Sequence, residues 1–481
     1  MSLPEIPEIL AFLRSAEPEM LEMMGEAAVL ESFRSAAAEV PAYRDLLKRS
    51  GVGPAEIADL AAFRARVPFT DKNNTFLAHP IHELCRGGSV KGIKSIVPSS
   101  GHSGTFAFSV DTAEGAALAA KGADLALEHV LEISQRPALV LNCYPMGLQV
   151  PTSLAVANTG VSSDVALAIV RSMASYFEQL IIVGQPLFVK KLVEDGVDQG
   201  IDWRRLRTTL VTGGEGFVES WRTYMSGLLG IAEADNPTTH FVASTMGAGE
   251  LGLNLFHETP ETIRIIRRAY RDPAFRRALL GEGVEHTPHF FVYYPMRSFV
   301  EAVPAEGWPG GELAVSHTAL DLPLPLIRYR TGDLVRLIPY RGLEEILGRH
   351  APELPMPGLK LPCAAVFGRR DALEIGGHRI TVERLKEALF LDPQVACSVT
   401  GFFRVSREGD ALRMEVQLRE GLAPGSEVPR SEVPKSEVED RLAAALRASL
   451  PPGLSARSRL FRAREFPQST THERKHHYIE R

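Results

Sequence analysis

The sequence predicts an α/β protein: a large multi-sheet α/β N-terminal domain, residues 1–367, and a small α+β C-terminal domain, residues 368–481. Three patterns predict this. Short apolar runs alternate with helical stretches from residue 90 onward, which argues for β–α units and parallel pairing. Gly368, Gly376 and Gly377 then mark a turn-rich junction. A helix, a strand pair and a second helix follow it, within normal domain size.

Taken in order, the first 65 residues read as helices. Leu10, Leu13 and Leu21, then Ala27, Leu30, Phe33 and Ala37, recur at helical spacing, and Pro41 and Pro68 punctuate the run. Strands are expected at 93–98, 138–141, 180–183, 208–212 and 241–244, with a long Ala- and Leu-rich helix over 112–133. Residues 311–317 and 332–338 read as further strands. In the C-terminal part the pattern predicts a helix over 382–391, a strand pair at 396–403 and 412–418, and a helix over 436–450. The near-repeat over 426–440 carries two prolines and alternating charge, so its first part reads as an exposed linker.

Composition excludes several classes. A net charge of −6 gives no global field for nucleic acid. Local arginine groups (Arg264, Arg267, Arg268, Arg271, Arg276 and Arg277; Arg457, Arg459, Arg462 and Arg464) read as solvated helix faces. The four cysteines, Cys85, Cys143, Cys363 and Cys397, form no C-x-x-C pair, which argues against a disulfide scaffold or a thiolate zinc site. The N-terminal residues lack the pattern of a signal peptide, and no apolar run is long enough to span a membrane. The expectation is a cytoplasmic protein with neither nucleic acid nor membrane as partner.

Three separated segments carry chemistry. Ser99-Ser100-Gly101-His102-Ser103-Gly104-Thr105 follows an apolar strand. Small residues let backbone N–H groups approach an anion, and the hydroxyls add donors, so the loop can cradle phosphate; it can also be an ordinary turn. A Walker loop is excluded because no G-K follows at the required spacing, and a nucleophile elbow because position 105 is Thr. The second segment is Leu326-Ile327-Arg328-Tyr329-Arg330-Thr331-Gly332-Asp333-Leu334. There Asp333 could accept from two sugar hydroxyls and an arginine could face phosphate, or Arg and Asp could form a structural pair. The third, Phe367-Gly368-Arg369-Arg370-Asp371 with Glu374 to Arg379, lies at the domain junction, where hinges occur.

In this order and spacing the three segments resemble the acyl- and aryl-adenylate-forming superfamily, and within it the phenylacetate–coenzyme A ligase branch. The family's ribose motif R-Y-R-T-G-D-L is matched without a change, its hinge G-R-x-D is present, and Pro41, Tyr43, Pro68, Thr70 and Lys72 are similar to the branch's N-terminal run. The resemblance implies ATP-dependent activation of a carboxylic acid as an acyl-adenylate, then transfer to coenzyme A, with Mg²⁺ as metal. It also makes the small domain mobile, rotating about the hinge between the two steps. Residue by residue, it places Ser99, Ser100, Gly101, Ser103, Gly104 and Thr105 in the phosphate loop. Gly213, Gly214 and Glu215 match the adenine-pocket segment, and Met246 and Gly247 lie in the next nucleotide motif. That motif ends at Glu250, the metal candidate. Asp333 matches the ribose aspartate, Arg369 a nucleotide-contacting arginine, and Asp371 the hinge. Lys475 matches the lysine that contacts the carboxylate and α-phosphate, with Arg474 the alternative. Lys475, Glu250 and Arg369 form the implied catalytic set. Tyr144 and Gly147 fall where the branch has a substrate-contacting segment; Tyr144 can equally be a buried aromatic.

The departures from the family pattern set the alternatives. His102 and Ser103 replace two threonines, and Thr105 and Phe106 replace Lys-Pro. Met246 replaces an adenine-stacking aromatic, and Gly249 replaces a hydroxyl that contacts phosphate. One lost hydrogen bond to a charged group is worth roughly 1.5–3 kcal/mol. His257, His286 and His289 stand where the branch often has cysteines, and read as surface or core histidines. The acid is expected to be aromatic or of medium length and hydrophobic. The expected partners are that acid and coenzyme A, with an amine or carrier protein as the alternative acceptor and a homodimer as the candidate assembly. A catalytically lapsed nucleotide-binding protein is the reading from a different class.

Overall fold

The computed structural model describes residues 4–99, 106–231, 240–369, 371–420 and 434–480. Helices fill the N-terminal stretch as the periodicity predicts: Ile6–Ser15, Pro18–Glu39, Pro41–Arg49 and Leu60–Arg66. Pro18 and Pro41 open their helices at the first position, where proline's missing N–H costs nothing. Asp59 caps the fourth by accepting from the Ala62 N–H at 2.8 Å.

An eleven-stranded sheet forms the centre of the described residues. Ala155–Asn158, Ala138–Asn142, Gln179–Gly184, Thr208–Thr212 and Val242–Ala248 pair in parallel in that order. The three inner strands of that run lie largely buried between helices, which is why they read as unbroken apolar runs. From Val242–Ala248 onward the pairing turns antiparallel: Gly252–His257, His289–Val292, Cys363–Gly368, Tyr329–Ile338, Gly311–His317 and Ser298–Pro304. The expectation of parallel pairing therefore holds for one half of the sheet only.

The C-terminal part contains the hairpin Ala372–Ile375/His378–Thr381 and a three-stranded sheet of Val399–Glu408, Ala411–Leu418 and Ser455–Phe461. Helices Val382–Leu391 and Lys435–Ser449 cover it. One boundary differs from expectation. Residues 393–398 are a helix instead of the start of a strand, because Asp392 accepts from the Gln394 N–H at 2.8 Å and Pro393 opens the turn. Arg457 and Arg459 lie on the strand Ser455–Phe461, not on a helix face. Of the near-repeat, only residues from 434 onward are described, and they begin the helix Lys435–Ser449.

A buried ion network ties the two halves of the sheet together. Arg222 donates to Glu219 at 3.0 Å and to both oxygens of Glu258, at 2.8 and 3.0 Å. Glu258 also accepts the Ser244 N–H at 2.7 Å. Arg267 closes the network on Glu219 at 3.1 Å, so it is 4% exposed and is not part of a solvated face. Burial pushes the Glu258 carboxyl up, but Arg222 and His289 outweigh it and hold it down at about 2. His289 then accepts from the Phe217 N–H at 3.1 Å, which fixes the loop after strand Thr208–Thr212.

The C-terminal part packs against this core. Lys190 is fully buried and donates to Glu194 and to the Val399 carbonyl, both at 2.7 Å. Ser220 donates to the Glu387 carbonyl at 3.2 Å, and the Tyr270 hydroxyl donates to the Glu387 carboxylate. Burial first, then the nearby Glu219 charge, raises the Glu387 carboxyl to about 7.

Two outcomes are expected. Arg222→Ala strands buried carboxylates and should destabilise the fold by about 3–5 kcal/mol, read from urea unfolding. Glu387 holds a proton in the folded state that it lacks when unfolded. Its contribution is full below its ordinary carboxylate pKa and is lost as pH rises through about 7. Melting temperatures from pH 5 to 8 should therefore fall less steeply for Glu387→Gln than for the unsubstituted protein.

Candidate active site

The carboxyl ends of the parallel strands gather most of the expected positions, where open α/β sheets bind ligands. Gly213-Gly214-Glu215 follows Thr208–Thr212 directly. A Cβ on Gly213 would lie 2.5 Å from the Tyr144 hydroxyl oxygen, so a side chain there would displace the tyrosine. Gly214 has φ +81°, a conformation that favours glycine. Tyr144 is thus brought to the segment, half-buried, and burial raises its phenol pKa. Gly147 is not; it lies in an exposed turn with φ +68° beside Met146 at +59°.

Met246 to Glu250 runs from the strand Val242–Ala248 into a tight turn. Met246 pairs with Phe256 and packs half-buried against the apolar cluster around it. Cβ atoms on Gly247 and Gly249 would stand 2.6 Å from the Gly252 carbonyl and 2.5 Å from the Pro98 carbonyl, respectively. The backbone at Pro98–Ser99 therefore occupies the space a hydroxyl side chain at 249 would need. Ser99 is itself buried, and its hydroxyl oxygen accepts the Ala107 N–H at 2.9 Å. Ser100, Gly101, His102, Ser103, Gly104 and Thr105 lie outside the described residues.

Glu250 is 5% exposed, and its Oε1 accepts from the Tyr329 hydroxyl at 3.0 Å. One carboxylate suits Mg²⁺, which is commonly held by one or two carboxylates together with substrate phosphates and water. Among the described residues no group of three His, Cys, Asp or Glu side chains gathers for a metal. The three histidines are packing or hydrogen-bonding residues: His257 stacks on Tyr294, His286 meets Phe367, and His289 bridges Glu258 and Phe217.

Neither arginine of the ribose-like motif turns toward these groups. Arg328 is buried with φ +50°, bound to Glu301 at 2.9 Å and to the Val67 carbonyl at 2.6 Å. Arg330 pairs with Glu312. Of the two readings the motif left open, the structure shows a structural ion pair for each arginine, with glutamates and not with Asp333: Arg328 fastens the N-terminal helices to the sheet. Asp333, by contrast, lies in a charged group. Burial raises its carboxyl pKa, and Arg369 and then Lys475 draw it part of the way back. Arg369 Nε is 4.0 Å from Asp333 Oδ1.

Lys475 enters from the C-terminal tail. Burial lowers its pKa, and the charges of Asp333, Glu215 and Glu250 oppose that shift. Arg474 is exposed. Asp371 is exposed and immediately precedes the hairpin Ala372–Ile375/His378–Thr381.

Glu215 is engaged from the C-terminal part by two groups that sequence reasoning missed. Lys386 donates to Glu215 Oε1 and to the Gly216 carbonyl, the latter at 3.1 Å. The Tyr478 hydroxyl donates to the same carboxylate oxygen at 2.5 Å, and the Lys386 ammonium lies 4.5 Å from the Tyr478 ring centroid. Burial pushes the Glu215 carboxyl up, but Lys386 and Tyr478 bring it net below its ordinary value. No local signal marks Lys386 or Tyr478. Tyr329, within a quoted motif, was readable as a partner only once Glu250 was placed beside it.

No family model matches the sequence, and no curated protein matches it. Solved structures do. 2-Hydroxyisobutyryl-CoA ligase in its postadenylation state, in complex with R3-HIB-AMP, is 16% identical, with a TM-score of 0.64 over 95% of this chain and 89% of that one. The same ligase in complex with 2-HIB-AMP and CoA in the thioesterification state is 17% identical, with a TM-score of 0.52 over the same shares. The chain has the fold of the adenylate-forming enzymes.

Proposed function

We propose that this protein activates a carboxylic acid with ATP as an acyl-adenylate and passes the acyl group to coenzyme A. The observation that carries the reading is that the C-terminal tail reaches the site: Tyr478 bonds Glu215, and Lys475, three residues before it, feels the charges of Asp333, Glu215 and Glu250. In adenylation a carboxylate oxygen attacks the α-phosphorus and pyrophosphate leaves, so the protein must align the reactants and neutralise developing charge. Asp333 would accept from the ribose hydroxyls, and the Gly213 to Glu215 backbone with Met246 and Gly247 would flank adenine. Arg369 would steady the nucleotide beside Asp333. Lys475 would hold the reacting carboxylate and the α-phosphate together. Glu250 would hold Mg²⁺, which supplies charge neutralisation to the phosphates.

Residues 1–367 would form the acid- and nucleotide-binding domain and 368–481 the mobile one, turning about Asp371 so that coenzyme A can enter. The closer superposition on the postadenylation state than on the thioesterification state supports an adenylation-like arrangement here. Coenzyme A as acceptor is supported by the neighbour solved with CoA. The phenylacetate–coenzyme A ligase branch rests on the quoted motifs, and with it an aromatic or medium hydrophobic acid walled by Tyr144. A homodimer in the cytoplasm completes the reading.

Two substitutions test it. Lys475→Ala should slow adenylate formation by about a hundredfold or more while sparing transfer from a supplied acyl-adenylate. Equal loss in both half-reactions would remove Lys475 from its role. Lys386→Met removes the ammonium that donates to both Glu215 and the Gly216 carbonyl across the two parts. Adenylation should fall about ten- to a hundredfold with no loss in the transfer half-reaction, and Lys386→Arg should restore part of it. Loss in both half-reactions would mark Lys386 as merely structural.

A further inference from the structure

The stretch of tail that carries Lys475 has no regular structure of its own. Residues 472–478 form neither helix nor strand. Among the described residues, 472–476 make no backbone–backbone hydrogen bond. Such a chain keeps its conformational freedom unless side chains remove it, and the long lysine stem adds more. Exposure divides the stretch. Glu473, Arg474 and His477 are exposed, whereas His472 and Lys475 are half-buried and His476 and Tyr478 are buried.

His476 supplies a fixed point directly after the lysine. Its Nε2 lies 2.8 Å from the Phe403 carbonyl oxygen. A carbonyl only accepts, so Nε2 carries the hydrogen and donates it. The same ring meets Phe402 edge-on at 5.0 Å and Tyr478 edge-on at 4.8 Å. Burial holds its pKa below the ordinary value, with the Phe403 bond and the Glu215 charge opposing, so the imidazole is neutral near pH 7. Before the lysine, His472 is the matching point. Its ring packs on Phe188 at 5.4 Å and on Phe402 at 5.1 Å. Phe188 lies on the helix Pro186–Asp198 of the core, and Phe402 and Phe403 lie on the strand Val399–Glu408 of the C-terminal part.

Beyond the lysine the tail joins the C-terminal sheet. The Val405 N–H donates to the Tyr478 carbonyl at 2.8 Å, and the Glu480 N–H donates to the Val405 carbonyl at 2.9 Å. The Tyr478 side chain leaves that sheet and reaches Glu215 on the core. The two anchors therefore differ in kind. Tyr478 decides whether the C-terminal part is docked, while His476 decides where the lysine stands on that part.

We propose that His476 is a positioning residue for Lys475. Its bond to the Phe403 carbonyl fixes the backbone next to the lysine, so that the ammonium is aimed at the group of Asp333, Glu215 and Glu250. His472 steadies the other end of the same stretch. The proposal rests on the acid-activating reading above, in which Lys475 serves adenylation and not transfer.

The test uses the full chain and three variants. His476→Phe keeps a ring between Phe402 and Tyr478 and removes the donor. His476→Gln places an N–H close to the position of Nε2. His472→Ala removes the ring contacts before the lysine. Acid-dependent ATP–pyrophosphate exchange by His476→Phe should fall about tenfold in kcat with little change in the KM for ATP, the worth of one hydrogen bond. Transfer from a supplied acyl-adenylate should be unchanged, and His476→Gln should restore most of the exchange. A second readout does not use activity. With trace acetic anhydride and peptide mass spectrometry, labelling of Lys475 relative to the exposed Lys48 should rise about fivefold or more in His476→Phe, as the tail loosens. If His476→Phe fails to fold, His472→Ala should show both effects in smaller measure. Unchanged exchange and unchanged Lys475 labelling in a folded variant would overturn the proposal, as would equal loss in both half-reactions. Should no acid support exchange by the unsubstituted chain, the acid-activating reading falls, and the labelling ratio alone decides whether His476 positions Lys475.

Discussion

Glu215 stands where the sheet ends and the C-terminal part begins, and its charge is tolerated there because Lys386 and Tyr478 reach it from across the boundary. Removing one partner from such a buried pair costs about 3–5 kcal/mol if the other stays buried. Separating the two parts would instead return both groups to water, where hydration replaces much of what is lost. The contact can therefore hold one arrangement without forbidding another. The position of Lys475 depends on it, because Tyr478 lies three residues along the same tail. The tail that anchors on Glu215 is the tail that presents the lysine to Asp333.

The rigid side of that boundary has its own anchor. Glu258 gathers Arg222, His289 and the Ser244 N–H, and His289 passes the constraint to the loop that carries Glu215. The strand ends and the loop are therefore held by buried charge on one side, and the tail grips that loop on the other. Gly213 and Gly249 show the same economy of space. Each lets a neighbour, the Tyr144 hydroxyl or the Pro98 backbone, approach to a distance no side chain would allow.

Much of the architecture was legible because periodicity is local. The N-terminal helices, the buried parallel strands and the helix Val382–Leu391 all follow from apolar spacing. Strand direction was not, since buried parallel runs and antiparallel runs covered on both faces read alike. The helix at 393–398 was missed because the Asp-Pro start signal outweighs the β-branched residues after it. At the candidate site, Asp333 and Glu250 were singled out through motif order, and Lys475 through its place near the chain end. The role of Arg328 stayed open because nothing in the motif shows that Glu301, 27 residues away, takes its charge. Lys386 and Tyr478 were invisible, since each acquires its meaning only from a partner in another segment.

The most direct measurement of the central claim is ATP–pyrophosphate exchange by the full chain with Mg²⁺, across aromatic and hydrophobic carboxylic acids of graded size. The account predicts exchange that requires an acid and saturates with it, without coenzyme A being added. ATP that binds tightly while no acid supports exchange would contradict it.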